Sequence, residues 1–268
     1  ENGNDPTLDD WEEDDSDKYG IGLKTTLGSI NFMPQIVYAI DSNLGVWDQD
    51  NDGRKTTTFT IAASGGKDNL GFEGEFSYRI SDYSGEMAVG VPFPDDANTF
   101  GFYANLFANL DANRIGLIFA YSSWDDEAGE GFDMGDDFDV TILLDEAAPF
   151  LMNGGVGAGN PNLNPNFYGG LAGLTLAQVY ATVAINNKIT VMPSLTYFAS
   201  SDDLNTGVGG LDVDANAYEL NIAADYKITD MLTYSAAVAF AKIDAEVGGA
   251  DIDDIDALRF LHKLSLDF

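Results

Sequence analysis

The sequence predicts an all-β fold of antiparallel strands joined by short turns and long loops. Apolar and polar residues alternate at period two over segments of about ten residues or more, which is the pattern of a strand with two different faces. Clusters of Gly, Asp, Asn and Ser separate these segments, as turns and loops do. No long window has a period of about 3.6 residues, so no amphipathic helix is expected.

The segment LGFEGEFSYRI shows this alternation clearly. Leu70, Phe72 and Phe76 fall in one phase, whereas Glu73 and Arg79 fall in the other. Applied to the whole chain, the pattern predicts about twelve strands. They lie at residues 18–26, 29–41, 55–64, 69–82, 84–92, 98–109, 112–124, 172–186, 187–200, 214–228, 231–245 and 256–268. A strand at 134–146 in place of 18–26 keeps this number, and about fourteen strands are the alternative.

The composition narrows the class of function. Twelve Lys and Arg against 45 Asp and Glu give a formal net charge of −33. This charge excludes nucleic acid as a natural partner, because phosphate contacts need clustered basic side chains. A hydrophobic fraction of 45% and an aromatic fraction of 12% indicate a folded chain in spite of the charge. The absence of Cys excludes disulfide bonds, thiol catalysis and zinc sites with Cys ligands.

The N-terminal segment differs from the rest of the chain. Residues 1–17 carry nine acidic residues and no basic one. Because like charges in such a block repel one another, we expect an acidic, mostly disordered tail there and a single domain at 18–268. Neither a signal peptide nor an apolar run long enough for a transmembrane helix is visible.

Tight and long connections alternate from residue 109 onward. The tight ones lie at 109–114, 185–188 and 227–232, and the long, glycine-rich, acidic ones lie at 125–171, 201–214 and 244–256. This rhythm suits a transmembrane antiparallel up-and-down β-barrel, since backbone groups cannot stay unpaired in hydrocarbon and closure removes the sheet edges. The apolar phase would face lipid and the polar phase the lumen. A soluble, acidic all-β binding protein, with its apolar face inward, is the alternative.

The last predicted strand carries a resemblance to a known family. LHKLSLDF alternates and ends on Phe268, and it is similar to the end of bacterial outer-membrane β-barrels, porins among them. The resemblance implies that Leu264, Leu266 and Phe268 form the assembly signal read by the barrel-insertion machinery. It also implies a Gram-negative outer-membrane location, a signal peptide already removed, short periplasmic turns and long acidic extracellular loops. With the strands as counted above, the acidic stretch 42–54 falls on the periplasmic side, although it looks like an external loop. A strand at 134–146 in place of 18–26 would move the early loops to the opposite side.

Charged residues of the polar phase are the candidate pore-lining residues. Such groups set the ion selectivity of an aqueous channel. They are Lys24, Glu73, Glu75, Arg79, Glu219, Asp225, Lys227, Arg259 and Lys263. The loop at 125–171 is expected to fold inward and narrow the pore.

Two further features are a candidate calcium site and a candidate catalytic base. WDQDNDG places Asp48, Asp50 and Asp52 before a glycine, which is the spacing of the first half of an EF-hand loop. The acidic residue that closes such a loop is missing, because Phe59 stands there, so a solvated acidic turn is the simpler interpretation. The single histidine, His262, falls in the lipid-facing phase, and neither catalysis nor a cofactor other than Ca²⁺ is expected.

The expected function is a porin-like channel for passive diffusion of small hydrophilic solutes or ions. Acidic loops at the mouth would give it a modest cation preference. The alternative is a non-conducting structural or binding barrel whose loops bind Ca²⁺ or a partner protein. The expected partners are outer-membrane lipid and lipopolysaccharide, the barrel-assembly machinery, and a second copy of the chain or another outer-membrane protein.

Deletion of Phe268 should impair assembly more than function, because the resemblance makes this residue part of the insertion signal. Chains that still assemble should therefore keep most of their function. The fraction of chain that is folded in the outer membrane, measured by heat-dependent migration on gels, should fall. Asp267→Asn is the matched control at the neighbouring position. Insertion of the truncated chain at the level of the full chain would contradict the resemblance.

Overall fold

The computed structural model describes residues 16–41, 53–84, 96–125, 130–132, 173–200, 204–205, 212–247 and 250–266. Regular structure in these ranges is β. The strands are β1 (Ser16–Gly22), β2 (Thr25–Leu27), β3 (Ile30–Asp41), β4 (Gly53–Lys67), β5 (Leu70–Ser84), β6 (Ala97–Leu110), β7 (Asn113–Ser122), β8 (Trp124–Asp125), β9 (Glu130–Gly131), β10 (Leu174–Ala184), β11 (Ile189–Ser200), β12 (Leu204–Asn205), β13 (Asp212–Lys227), β14 (Leu232–Val247) and β15 (Ala250–Leu266). Within the same ranges, no helix has the length and apolar character needed to cross a bilayer.

Thirteen of the described strands form one antiparallel sheet. Its order is β1-β3-β4-β5-β6-β7-β10-β11-β13-β14-β15, with the short strands β2 and β12 paired to β3 and β13. Strands β8 and β9 form a separate hairpin. Neighbours in the sheet follow one another along the chain, so the predicted all-β, antiparallel up-and-down architecture is confirmed, with close to the predicted number of strands.

The tight turns gather at one end of the sheet. They lie at 28–29, 68–69, 111–112, 185–188 and 228–231. Asp68 and Asp111 take a φ of 56° in two of these turns, a left-handed conformation that Asp and Asn adopt more readily than most residues. Because the sheet is antiparallel throughout, the longer connections leave from the opposite end.

The strand predicted at 84–92 has no place in the sheet. β5 pairs directly with β6 over a continuous register from Leu70↔Ala108 to Ser81↔Ala97. Ser84 ends β5, and 85–92 lie outside the described residues.

Removing one strand reverses the direction of every strand before it. Asp41 pairs with Arg54 at the ends of β3 and β4, at the same end of the sheet as the other long connections. The connection from β3 to β4 therefore leaves from the long-connection end, which favours the interpretation of 42–54 as an external loop over the periplasmic position that twelve strands imply.

Two predicted boundaries change for the same reason, namely that pairing continues beyond the clearest alternation. β14 and β15 stay paired as far as Val247↔Ala250, with a register shift between Ile243 and Ala245. The predicted long loop at 244–256 is thus the outer part of a β-hairpin. β1 begins at Ser16, which pairs with Asp41, two residues before the start of the strand predicted at 18–26.

The two faces of the sheet carry different side chains, as the alternation predicts. On β13, Tyr218, Leu220 and Ile222 are 54%, 50% and 47% exposed, whereas Glu219 and Asn221 between them are 0% and 4% exposed. The apolar face extends across the sheet, and aromatic pairs such as Tyr197–Tyr218 and Phe102–Phe119 join neighbouring strands with ring centroids 4.9 and 5.2 Å apart.

This exposed apolar face has the dimensions of a membrane span. The outward positions of β13 from Tyr218 to Tyr226 carry no charged residue, and a tilted transmembrane strand needs about 9–11 residues. A soluble protein rarely exposes more than a few hundred Å² of contiguous apolar surface. The outward face of the sheet therefore lies in the hydrocarbon of a bilayer, which rules out the soluble alternative.

Ile222→Arg should reduce the free energy of unfolding by about 2–4 kcal/mol, because it places a charge on the lipid-facing surface near mid-membrane. Ile228→Arg is the matched control, since Ile228 lies in the turn after β13, and it should cost about 0–1 kcal/mol. Denaturant titration in lipid bilayers measures both values. Equal costs at the two positions would contradict the assignment of the outward face to lipid.

Candidate functional site

The inner face of the sheet holds the predicted pore-lining residues of the strands. On β5, the buried Ser77 marks the inward phase, and the same phase contains Glu73, Glu75 and Arg79. On β13, the buried Glu219 marks the inward phase, and the same phase contains Asp225 and Lys227. On β15, Arg259 lies beside the buried Ala239 of β14, and Lys263 shares the phase of Arg259. Lys24 lies in the break between β1 and β2. That these residues line a conducting pore stays a prediction.

The structure does not bring all of these residues together. Glu73, Glu75 and Lys24 border one cavity, as described below. Nearer the short turns, Asp225 and Lys263 flank Ser235 of β14 in the register, and the Ser235 hydroxyl donates a hydrogen bond to Asp225 Oδ1 at 2.6 Å.

A hydrogen-bond network on the inner face links β5, β6 and β10. The Tyr103 hydroxyl and the Asn105 amide both donate to Glu73 Oε1, at 3.1 and 2.9 Å. The Tyr180 hydroxyl in turn donates to Asn105 Oδ1 at 3.1 Å. Tyr180 reaches Asn105 across β7 because Gly116 lies under its ring: a Cβ on Gly116 would come within 2.4 Å of ring atoms. The sequence alone gives no signal for this contact, since it depends on the register of three strands.

A cavity of about 300 Å³ lies beside this network. Its lining comes from β3 to β6 and from the break after β1, and it contains two carboxylates, one amine and one phenol. The lining residues are Lys24, Asn31, Phe32, Met33, Ala62, Ala63, Ser64, Glu73, Gly74, Glu75 and Tyr103. Polar groups with hydrogen-bonding capacity thus border an open space on the inner face.

Part of the inner face from β7 to β14 is apolar, whereas the alternation predicts a polar lumen phase. A buried cluster runs from β7 to β14 and comprises Ile118, Ala120, Leu176, Phe198, Ala217, Ala241 and Ile243. The β10 segment LTLAQVYATVA is apolar in both phases, and this was the available signal. The inner face of β3–β6, which borders the cavity, is called the polar wall. The inner face of β7–β14 is mixed, because Gln178, Thr196 and Glu219 are buried there beside the apolar cluster.

The described start of the loop predicted to fold inward bends back over the sheet. Ser123 N donates to Phe100 O at 2.8 Å, and Phe132 N donates to Ser123 O at 2.9 Å. Phe132 is buried, and the Arg79 guanidinium carbon lies 4.9 Å from the centroid of its ring. Phe132 thereby contacts a residue of the inner face, while residues 133–171 lie outside the described ranges.

The remaining predicted sites fall outside the described residues or on the outward face. Asp48, Asp50, Asp52 and Phe268 are not among the described residues. Within the described ranges, no group of three or more His, Asp or Glu side chains is placed to hold a metal ion. Leu264 and Leu266 are exposed on the outward face. His262 lies beside Tyr234 and Phe260, with ring centroids 6.3 and 6.1 Å apart.

Comparisons with known proteins return solved structures alone. No family model and no curated protein matches the sequence. The NanC porin shares 10% identity over 96% of this chain and 95% of its own, with a TM-score of 0.38. OccAB4 of Acinetobacter baumannii shares 10% over 92% and 53%, with a TM-score of 0.45. A FadL homologue of Pseudomonas aeruginosa shares 15% over 92% and 70%, with a TM-score of 0.38. The chain thus spans about half the length of OccAB4.

The arrangement of the strands determines the fold assignment. An up-and-down antiparallel sheet crosses the bilayer with an outward apolar face and an inner face bearing buried polar side chains. Strand-built spans of this kind are β-barrels of outer membranes. The chain has the fold of a bacterial outer-membrane β-barrel.

Gly116→Ala should lower the free energy of unfolding by about 1–3 kcal/mol, because the added methyl group overpacks against the Tyr180 ring. The cost should largely vanish in a Tyr180→Ala background, where the ring is absent. A double-mutant cycle by denaturant titration measures this coupling. Additive costs for the two substitutions would show that the ring does not lie over Gly116.

Proposed function

We propose that the protein is an outer-membrane channel through which small hydrophilic solutes and ions diffuse passively, with a modest preference for cations. One observation carries the proposal: Glu73 and Glu75 border an open cavity on the inner face of a transmembrane sheet. Carboxylates at such a position meet aqueous solute, and rings of acidic side chains favour cations in pores.

The size of the electrostatic effect fits a modest preference. A unit charge in bulk water attracts a monovalent cation at about 4 Å with about 1 kcal/mol, which is roughly a fivefold rise in local concentration. The net charge of −33 adds a field of the same sign outside the lumen. Salt weakens both effects, since the Debye length falls from about 10 Å at 0.1 M to about 3 Å at 1 M.

The double substitution Glu73→Gln with Glu75→Gln should move the cation-to-anion permeability ratio towards unity, because it removes two negative charges and preserves the shape of the side chains. Reversal potentials in planar bilayers under a salt gradient measure the ratio. The matched control is Asp68→Asn with Asp111→Asn, which removes the same charge from two turns. We expect a smaller change in the control.

Two further results are expected from the same recordings. The selectivity of the unmodified protein should decline between 0.1 M and 1 M salt, as screening requires. Anion preference in the unmodified protein, or an equal effect of the lumen and turn substitutions, would contradict the role given to Glu73 and Glu75.

A second candidate function is a non-conducting barrel whose acidic loops bind Ca²⁺ or a partner protein. The buried apolar cluster on the inner face favours it, because Leu176 and Phe198 are 2% and 4% exposed and leave no open space at that position. Absence of conductance together with Ca²⁺-dependent protection of the loops from protease would favour this candidate. Replacing Asp48, Asp50 and Asp52 with Asn should then abolish the protection.

No catalytic role is part of either candidate. The chain has one histidine, and His262 packs beside Tyr234 and Phe260 on the outward face. A general base for hydrolysis would have to reach a nucleophile and an aqueous substrate, and this position faces lipid.

A further inference from the structure

We infer that the cavity on the polar wall is a binding subsite for small zwitterionic solutes, which carry one ammonium and one carboxylate, as α-amino acids do. The inference rests on the proposed channel function and specifies the class of solute that the channel favours. It follows from the shape of the cavity, from the arrangement of its carboxylates and from the position of Lys24.

The cavity exists because β4 contributes small side chains between larger ones. Two rows cross the inner face from β3 to β6, as the strand registers show. They are Asn31–Ser64–Glu73–Asn105 and Met33–Ala62–Glu75–Tyr103. Ser64 and Ala62 form the floor, with the two glutamates on one side. The space of about 300 Å³ is at the small end of ligand pockets, so it suits a solute of few atoms.

The two glutamates present acceptors for an ammonium group. Glu73 and Glu75 are two residues apart on one face, so their backbones are separated by about 7 Å along the strand. Each carboxylate accepts its side-chain hydrogen bonds at Oε1. Glu73 accepts from Tyr103 and Asn105, and Glu75 accepts from Ser77 at 3.2 Å. An ammonium has three donors and no acceptor, and charge-assisted hydrogen bonds to carboxylates are the stronger kind.

Lys24 supplies the opposite charge at the same cavity. Among the described residues no ion pair joins the Lys24 amine to Glu73 or Glu75, although all three border the space. The amine is thus available to a carboxylate of the solute. A zwitterion satisfies both kinds of charge at once. An anion without an ammonium meets two carboxylates, and a cation without a carboxylate leaves Lys24 unused.

Liposome swelling with three matched solutes tests the inference. L-Serine carries both charged groups, ethanolamine lacks the carboxylate, and lactate lacks the ammonium. All three are similar in size, so a passive pore without the subsite would order them by charge alone. We expect L-serine to enter about threefold faster than either of the others, an effect of the size that a solvent-exposed ion pair supplies.

Two charge substitutions should separate the two halves of the subsite. Glu73→Gln with Glu75→Gln should remove the advantage of L-serine over lactate. Lys24→Gln should remove its advantage over ethanolamine. Both variants keep side chains of similar length, so the cavity volume changes little.

A volume substitution tests the cavity itself without altering any charge. Ala62→Leu fills the floor and should abolish the preference for L-serine. The matched control is Ala237→Leu, which adds the same volume to the inner phase of β14, where Ala237 pairs with Ala223 of β13. The control should keep the preference even if it reduces the total rate.

Failure of the inference can be distinguished from failure of the proposed channel. If the unmodified protein conducts ions but L-serine has no advantage, or if Ala62→Leu leaves that advantage intact, the subsite is wrong and the channel stands. If the protein does not conduct, titration calorimetry with L-serine on the detergent-solubilised chain still tests the subsite. Binding that is lost in Ala62→Leu and kept in Ala237→Leu would support it, and absence of binding would overturn it.

Discussion

Backbone hydrogen bonding in hydrocarbon is the constraint on which the rest of this structure depends. An unpaired N–H or C=O costs several kcal/mol where no water can replace the partner. The strands meet this constraint by continuous antiparallel pairing, of which β13 with β14 is an example, from Val213↔Val247 to Lys227↔Thr233. Once pairing fixes the register, side chains alternate between lipid and lumen, and every candidate functional residue of the strands follows from that alternation.

The lumen phase is not uniform, and its two walls suggest different contributions to function. On the polar wall, Glu73 is held by Tyr103 and Asn105, which fixes a carboxylate beside an open cavity. On β10 and β11, Leu176 and Phe198 pack within a buried cluster, beside the hydrogen-bonded pair Gln178–Thr196. In the proposed channel, the open cavity on β3–β6 is where small polar solutes would meet the lumen charges.

The fold could be predicted from the sequence because period-two alternation is a local property, visible on β13 and β15 without any knowledge of their partners. The features that could not be predicted depend on pairing between segments that are far apart in the sequence. β5 pairs directly with β6, without the strand that was predicted between them at 84–92, and counting that strand put the 42–54 connection at the periplasmic end. The lumen charges could be assigned to a phase, but the cavity depends on Ala62 and Ser64 lying beside Glu73 and Glu75 in the register, and no single segment reveals that.

The central claim is that alternate residues of each long strand face lipid and lumen. The chain contains no cysteine, so single cysteines can be placed at successive positions of β13 from Tyr218 to Ala223 and labelled with a fluorophore. Quenching by a lipid-embedded spin label should be strong at 218, 220 and 222 and weak at 219, 221 and 223, and a water-soluble quencher should give the reverse. Quenching that fails to alternate, or that alternates with the opposite phase, would contradict the account.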